Sequence, residues 1–137
     1  MHSLRGAEDL AEFIVRNYTG RVVEVGVGHR ADVALQLALC PSLSVVVTDV
    51  EERLLGSLRV AKDDIFSPRL DLYRGASLLY SIRPPLEMQL AMGALAASVG
   101  ADVLVRPLGD EVAELPGFSR RLVNAGEARF YLFRLRP

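Results

Sequence analysis

The chain is 137 residues long and half hydrophobic, and its 16 Lys+Arg against 17 Asp+Glu leave a net charge of −1. A chain of this length can bury roughly two-thirds of its unfolded surface in one domain, residues 1–137, and its charge balance sets up no field to draw nucleic acid or a membrane. The lone Cys40 excludes an internal disulfide and a cysteine-cluster metal site, so no metal is expected. Met1–Arg5 is too polar for a signal peptide and charges break every long apolar stretch, so a cytoplasmic protein is the expectation.

Ser3 is placed to cap a first helix whose apolar face carries Leu10, Phe13, Ile14 and the ring of Tyr18, with Thr19-Gly20 ending it. Arg21–Val25 reads as a buried strand that breaks into the loop Gly26-Val27-Gly28-His29-Arg30. An amphipathic helix over Ala31–Leu39 follows and stops before Pro41; a second strand, Leu43–Thr48, is closed by Asp49. Glu51–Leu58 reads as a short helix with acids in its first turn, as the helix dipole prefers, and Arg59–Lys62 as a third strand. The stretch from Asp63 to Gly75 lacks a full helical repeat, which abbreviates the next crossover. Ser77–Ile82 is a fourth strand, Pro84-Pro85 opens a helix over Leu86–Val99, Gly100 caps it, and Asp102–Val105 is a fifth strand. Arg120–Asn124 and Arg129–Leu135 flank Ala125-Gly126-Glu127-Ala128, and the period-two alternation of the second run marks an antiparallel hairpin. Five strands in βα alternation and a hairpin make a seven-stranded sheet. The expected fold is α/β, a three-layer Rossmann-like sandwich with a mostly parallel sheet and a C-terminal antiparallel hairpin.

Strand, glycine loop, helix, strand and terminal carboxylate form the mononucleotide-binding half of such a sheet. The arrangement resembles class I S-adenosylmethionine-dependent methyltransferases, whose first strand ends acid–x–Gly–x–Gly–x–Gly. Glu24, Gly26 and Gly28 match that pattern, and Arg30 stands where the third glycine belongs. Asp49, 25 residues after Glu24, matches the family's ribose-gripping acid, and Asp63 and Asp64 both match the acid near the adenine amino group. The strings Glu-Val-Gly-Val-Gly, Asp-Asp-Ile-Phe-Ser-Pro and Tyr-Ser-Ile-Arg-Pro-Pro-Leu-Glu further resemble a small archaeal family with a Rossmann-like core. The resemblance implies S-adenosylmethionine or its demethylated product as ligand, with Glu24 toward the methionine amino group. Gly26–Ala31 also satisfies the dinucleotide fingerprint, with Asp49 in range of an NAD(P) ribose. Against NAD(P) stand the carboxylate of Glu24 within the strand and the lack of a second mononucleotide half.

Ligands of open α/β sheets sit beyond the carboxyl ends of the strands. Here those ends carry Gly26–Arg30, Asp49, Asp63-Asp64, Ser81–Arg83 and Arg106–Asp110. The candidate cofactor-binding residues are Glu24, Gly26, Gly28, His29, Arg30, Asp49, Asp63, Asp64 and Ser81. Glu24 either meets the ligand or pairs with Arg30 or Arg83. His29 is either a general base or an exposed or capping residue, and Arg30 either binds a ligand anion or fills the space of a methionine tail. One of Asp63 and Asp64 is a turn residue held by its own Asx hydrogen bond. Ser81–Pro85 falls where amino-methylating enzymes carry Asn/Asp-Pro-Pro-Tyr, and only the prolines match. Arg83 is placed to bind an anionic substrate, unless the prolines merely start a helix; Tyr80, Met88 and Met92 read as core. No acceptor or catalytic group is identified. The expected partners are a small-molecule ligand and a homodimer mate or partner subunit, and the alternative to a methyltransferase is a non-catalytic sensor or assembly subunit.

Overall fold

The computed structural model describes residues 5–137. Helix α1 (Ala7–Asn17) leads into β1 (Gly20–Val25), α2 (Asp32–Leu37), β2 (Leu43–Asp49), β3 (Arg53–Leu55) and β4 (Leu58–Lys62). A 3-10 turn at Leu70–Leu72 precedes β5 (Ala76–Ile82), α3 (Leu86–Val99), β6 (Asp102–Arg106), β7 (Phe118–Ala125) and β8 (Ala128–Leu135). The strands form one eight-stranded sheet in the order β3-β4-β2-β1-β5-β6-β8-β7. β4, β2, β1, β5 and β6 run parallel, and β3 and the β7–β8 hairpin are antiparallel.

The sheet therefore has eight strands where seven are expected, and the difference lies at residues 51–58. The helix read there is instead β3, which pairs with β4 across Gly56-Ser57 in the register Leu55↔Leu58. Gly56 takes φ 60, as a tight two-residue hairpin requires, and this glycine would sit inside the expected helix, where it is unfavourable. Helix α2 is shorter than expected, and Leu39, outside it, is 83% exposed. Ser3, expected to cap α1, lies outside the described residues; Gly6 precedes the helix with φ 80 and no side-chain cap.

Two apolar layers hold the sheet. On one face, Leu10 and Ile14 of α1 and Val33 and Leu37 of α2 pack on Val22, Leu78, Tyr80, Leu104, Phe130 and Leu132. On the other, Met92, Leu95 and Ala96 of α3 cover Val23, Val25, Leu79, Val103, Val105 and Phe133, together with Tyr73 and Leu115. β1 and β5 are buried on both sides over Val22–Val25 and Leu78–Ser81, which explains their mostly apolar character, Glu24 and Ser81 being the polar residues taken inside. The abbreviated crossover between β4 and β5 is tied down by Arg21, whose guanidinium donates to the carbonyls of Asp71, Leu72 and Arg74. The loop between β6 and β7 is held by buried Gln89 of α3. Its amide donates to the carbonyls of Pro84 (3.0 Å) and Glu111 (2.8 Å) and accepts from the N–H of Ala113 (2.8 Å). At the far end, Asp9 of α1 accepts the N–H of Glu127, so the hairpin tip is docked on the first helix.

Candidate functional site

The sheet register sets the environment of Glu24. It lies directly opposite Tyr80 across the β1–β5 pair, on the face covered by α1 and α2, and is 2% exposed. The Tyr80 hydroxyl donates to Oε1 at 2.8 Å. Burial pushes the Glu24 carboxyl up to about 8, the Tyr80 hydrogen bond opposing it and the charge of Asp32 adding to it. The neutral acid therefore predominates near pH 7, the usual outcome when a carboxylate has no cation to compensate its lost hydration. Neither Arg30 nor Arg83 pairs with Glu24: its partner is a tyrosine read from sequence as plain core.

The glycine loop leaves β1 at its carboxyl end and spends its own amides. The N–H groups of Gly26 and Val27 both donate to the carbonyl of Thr48 at 3.0 Å. The N–H of Gly28 donates to Asp49 Oδ2, also at 3.0 Å. Asp49 Oδ1 accepts the N–H of Val50 at 2.8 Å, and Arg53 approaches Oδ2 at 3.4 Å while donating to the carbonyl of Gly28. Asp49 and Arg53 thus clasp the loop from the side of β2 and β3, with His29 Nδ1 3.5 Å from the same guanidinium. The two glycines differ. Both need a left-handed backbone, φ 68 and φ 65, but a methyl on Gly26 would meet Met88 Cε at 2.6 Å, whereas Gly28 faces open space.

A cavity of about 250 Å³ opens beside this loop, lined by Gly26–Arg30, Asp32, Ile82 and Arg83. Among the candidate residues, Gly26, Gly28, His29 and Arg30 meet there; Glu24, Asp49, Asp63, Asp64 and Ser81 do not line it. Arg30 is held by Asp32 at 3.2 Å. Ser81 is fully buried and donates to the carbonyl of Val25 at 2.6 Å, stitching β5 to β1. Asp63, 7% exposed, accepts the N–H of Arg69 at 2.8 Å and the hydroxyl of Tyr73, so it organises the crossover from within. Asp64 accepts the N–H of Phe66, an Asx turn on the surface. Among the described residues, no group of three or more His, Cys, Asp or Glu is arranged to hold a metal ion, and no helix is long and apolar enough to cross a membrane.

Sequence reasoning missed Arg53, Tyr73, Gln89 and the hydroxyl of Tyr80. The Gly56-Ser57 pair between two leucines signals a hairpin, and reading it so would have brought Arg53 back beside Asp49. Gln89 gives no signal in the sequence, because all its partners are backbone atoms and two of the three lie in a loop more than 20 residues away.

Solved structures share this architecture. A mutant of MtNAS in complex with S-adenosylmethionine superposes with a TM-score of 0.67 at 14% identity, over 96% of this chain and 62% of that one. Human N-acetylserotonin methyltransferase in complex with SAM gives 0.66 at 12% identity, over 96% of this chain and 52% of that one. A conserved hypothetical protein of Streptococcus pyogenes gives 0.65 at 14% identity and matches almost end to end, over 98% of this chain and 96% of that one. The chain thus spans little more than half the length of the two ligand-bound neighbours. The likeness establishes a methyltransferase-type Rossmann-like fold. Relatives in sequence are archaeal. A UPF0146 protein of Archaeoglobus fulgidus is 43% identical over 91% of this chain and 92% of its own length. One of Methanothermobacter thermautotrophicus is 38% identical over 90% and 91%. Residues 7–135 match the profile of the same family, and the chain belongs to it: the Uncharacterised protein family UPF0146.

Proposed function

We propose that this chain binds S-adenosylmethionine, or its demethylated product, at the carboxyl ends of β1 and β5 and is a methyltransferase-like protein. The observation that carries the reading is the hydrogen bonding of the glycine loop. The amides of Gly26, Val27 and Gly28 are all spent inside the protein. A dinucleotide's pyrophosphate needs such amides free, at the mouth of a helix, and α2 is only six residues long. S-adenosylmethionine carries no phosphate and asks only for close approach to the backbone, which the open face of Gly28 allows. The solved neighbours that bind S-adenosylmethionine support the same choice over NAD(P).

In this reading Gly28, His29 and Arg30 hold the ligand along the loop, and Arg83 closes the side of β5. The cavity, about 250 Å³, lies just under the roughly 300–1,000 Å³ typical of small-molecule pockets, so the ribose end extends along the rim toward Asp49. Asp49 Oδ1 accepts one N–H and retains lone-pair capacity beyond it. The ligand supplies an electrophilic sulfonium methyl; the chain supplies position. A single-domain, cytoplasmic protein whose acceptor side is completed by a second subunit belongs to the same proposal. One observation favours a second reading, a non-catalytic sensor or assembly subunit: Ser81, at the place of the residue that orients an attacking amine, is buried and spent on Val25.

Thermal shift with S-adenosylmethionine, S-adenosylhomocysteine, NAD, NADP and ATP tests the binding. Ligand at 100 times its Kd adds about 2.7 kcal/mol, or roughly 8 °C for a chain of this size. Stabilisation by the two sulfur compounds alone is the expected result; a shift with NAD(P) or ATP alone, or with none of the five, overturns the proposal.

A further inference from the structure

A second concavity, about 440 Å³, adjoins the first and shares Arg83 with it. Its floor is built from the ends of β5 and β6, the loop 107–110 and the start of β8. Arg83, Arg106 and Arg129 all line it, against one carboxylate, Asp110. Among the described residues no acid lies within ion-pair distance of any of the three, although five other ion pairs form elsewhere on the surface. Arg106, half-buried, donates to the carbonyl of Arg5, at 3.5 Å. Burial, and then the charge of Arg83 beside it, pull its guanidinium below the ordinary value. Three cations thus border one concave surface that carries a single carboxylate, so an anion entering it meets an excess of positive charge.

The backbone of Arg83 points the same way. It is the one non-glycine residue with positive φ, 57, among the described residues. Glycine would take this conformation without strain, yet an arginine occupies it, pinned by an N–H donated to the carbonyl of Arg106 at 2.7 Å. Strain held at a residue that touches both concavities is the pattern of a functional position rather than of a packing one.

We propose that the cavity of Arg83, Arg106 and Arg129 is an oxyanion subsite that takes a phosphate or carboxylate group of a small-molecule methyl acceptor. The inference rests on the S-adenosylmethionine reading for the word acceptor, but the anion subsite stands on its own geometry. Guanidinium groups suit either oxyanion, because each presents paired N–H donors to two oxygens. The concave shape and the net charge of −1 favour a small molecule over a nucleic-acid backbone, which needs a broad basic face. Tyr131, in the same lining, offers an aromatic wall to the body of the molecule. Since Arg83 borders both concavities, an anion held here lies next to the cofactor cavity.

Calorimetric titration of the full chain with inorganic phosphate, pyrophosphate and citrate, each in chloride buffer and without S-adenosylmethionine, tests the subsite. Binding of phosphate or pyrophosphate over citrate identifies a phosphorylated acceptor, and the reverse order a carboxylic one. Arg129→Gln, at an exposed position, and Arg106→Gln are each expected to weaken the bound anion tenfold or more. Arg83→Gly is expected to weaken it while leaving Tm unchanged or raised, which a purely structural arginine would not do. No saturable anion binding, or binding unchanged in all three variants, overturns the inference, whatever S-adenosylmethionine does. Anion binding lost in the variants without any S-adenosylmethionine binding keeps the subsite and overturns the cofactor reading.

Discussion

Glu24→Gln should make the protein more stable at slightly alkaline pH, and the size of the gain follows from burial. In the unfolded chain the Glu24 carboxyl titrates near 4.5; folded, it is held at about 8. Between those values the folded state keeps a proton that the unfolded state has released, so stability falls as pH rises. The stabilisation of the neutral acid is complete below the lower value and gone above the upper one. The full span is about 5 kcal/mol at 1.36 kcal/mol per pH unit, a large share of the roughly 5–15 kcal/mol that holds a domain together. From pH 5.5 to 7.5 the fall amounts to about 2–3 kcal/mol. Glutamine keeps the shape and an oxygen for the Tyr80 hydroxyl but has no proton to lose. Urea denaturation followed by circular dichroism at pH 5.5, 6.5 and 7.5 measures both proteins, and every other titratable group cancels in the difference. The gap should widen in favour of the variant by about 2–3 kcal/mol across that range. Parallel pH dependences would refute the argument that an uncompensated buried carboxyl sits at this position. Tyr80→Phe supplies the control: without the hydroxyl that opposes the shift, the carboxyl rises further and the fall continues to higher pH.

Gly26→Ala and Gly28→Ala should each cost about 1–2 kcal/mol for an L-residue in the left-handed region, measured by chemical denaturation. Only Gly28→Ala places its methyl in the open space beside the cavity, so affinity for S-adenosylmethionine should fall tenfold or more there and far less in Gly26→Ala, whose methyl displaces the flexible end of Met88. Asp49→Ala removes the acceptor of two amides and the partner of Arg53; a loss of about 1–3 kcal/mol in stability should accompany weaker cofactor binding, read by calorimetry. Gln89→Leu leaves two carbonyls and one amide of the loop and helix start unpaired and should cost about 3 kcal/mol, with a matching drop in Tm by scanning calorimetry.

The strands and long helix could be read because their residues carry periodic, local signals. Leu86–Val99 is bounded by a proline pair and a glycine, and the C-terminal hairpin turns on Gly126, whose φ of 58 the two-residue loop demands. The hairpin at residues 53–62 was missed because the acids after Asp49 favour a helix start, and that local preference lost to pairing with an exposed sheet edge. The site was legible only as a place. Which acid faces a ligand depends on the register between strands distant in sequence: Glu24 opposite Tyr80, 56 residues on, becomes an interior group. No spacing along one strand could reveal that pairing.

The same comparison explains why this fold presents guanidinium groups rather than carboxylates at its rim. Three of the four acids that mark the methyltransferase pattern have a structural duty: Glu24 to Tyr80, Asp49 to the amides of Gly28 and Val50, Asp63 to Arg69 and Tyr73; Asp64 holds a surface turn. Those bonds fix the loop, the strand end and the crossover in a chain with little else to fix them, since the crossover from β4 to β5 has one short 3-10 turn and the connection from β6 to β7 has no helix. Glu24 and Asp63, committed inward, do not neutralise the cations at the sheet's carboxyl edge, and Asp49 is taken by Arg53. Among the described residues Arg83, Arg106 and Arg129 form no ion pair, and the concavity they line carries more positive than negative groups in a chain whose net charge is −1. Selectivity at such a rim comes from the ligand's anionic groups, while the glycine loop contributes shape and close approach.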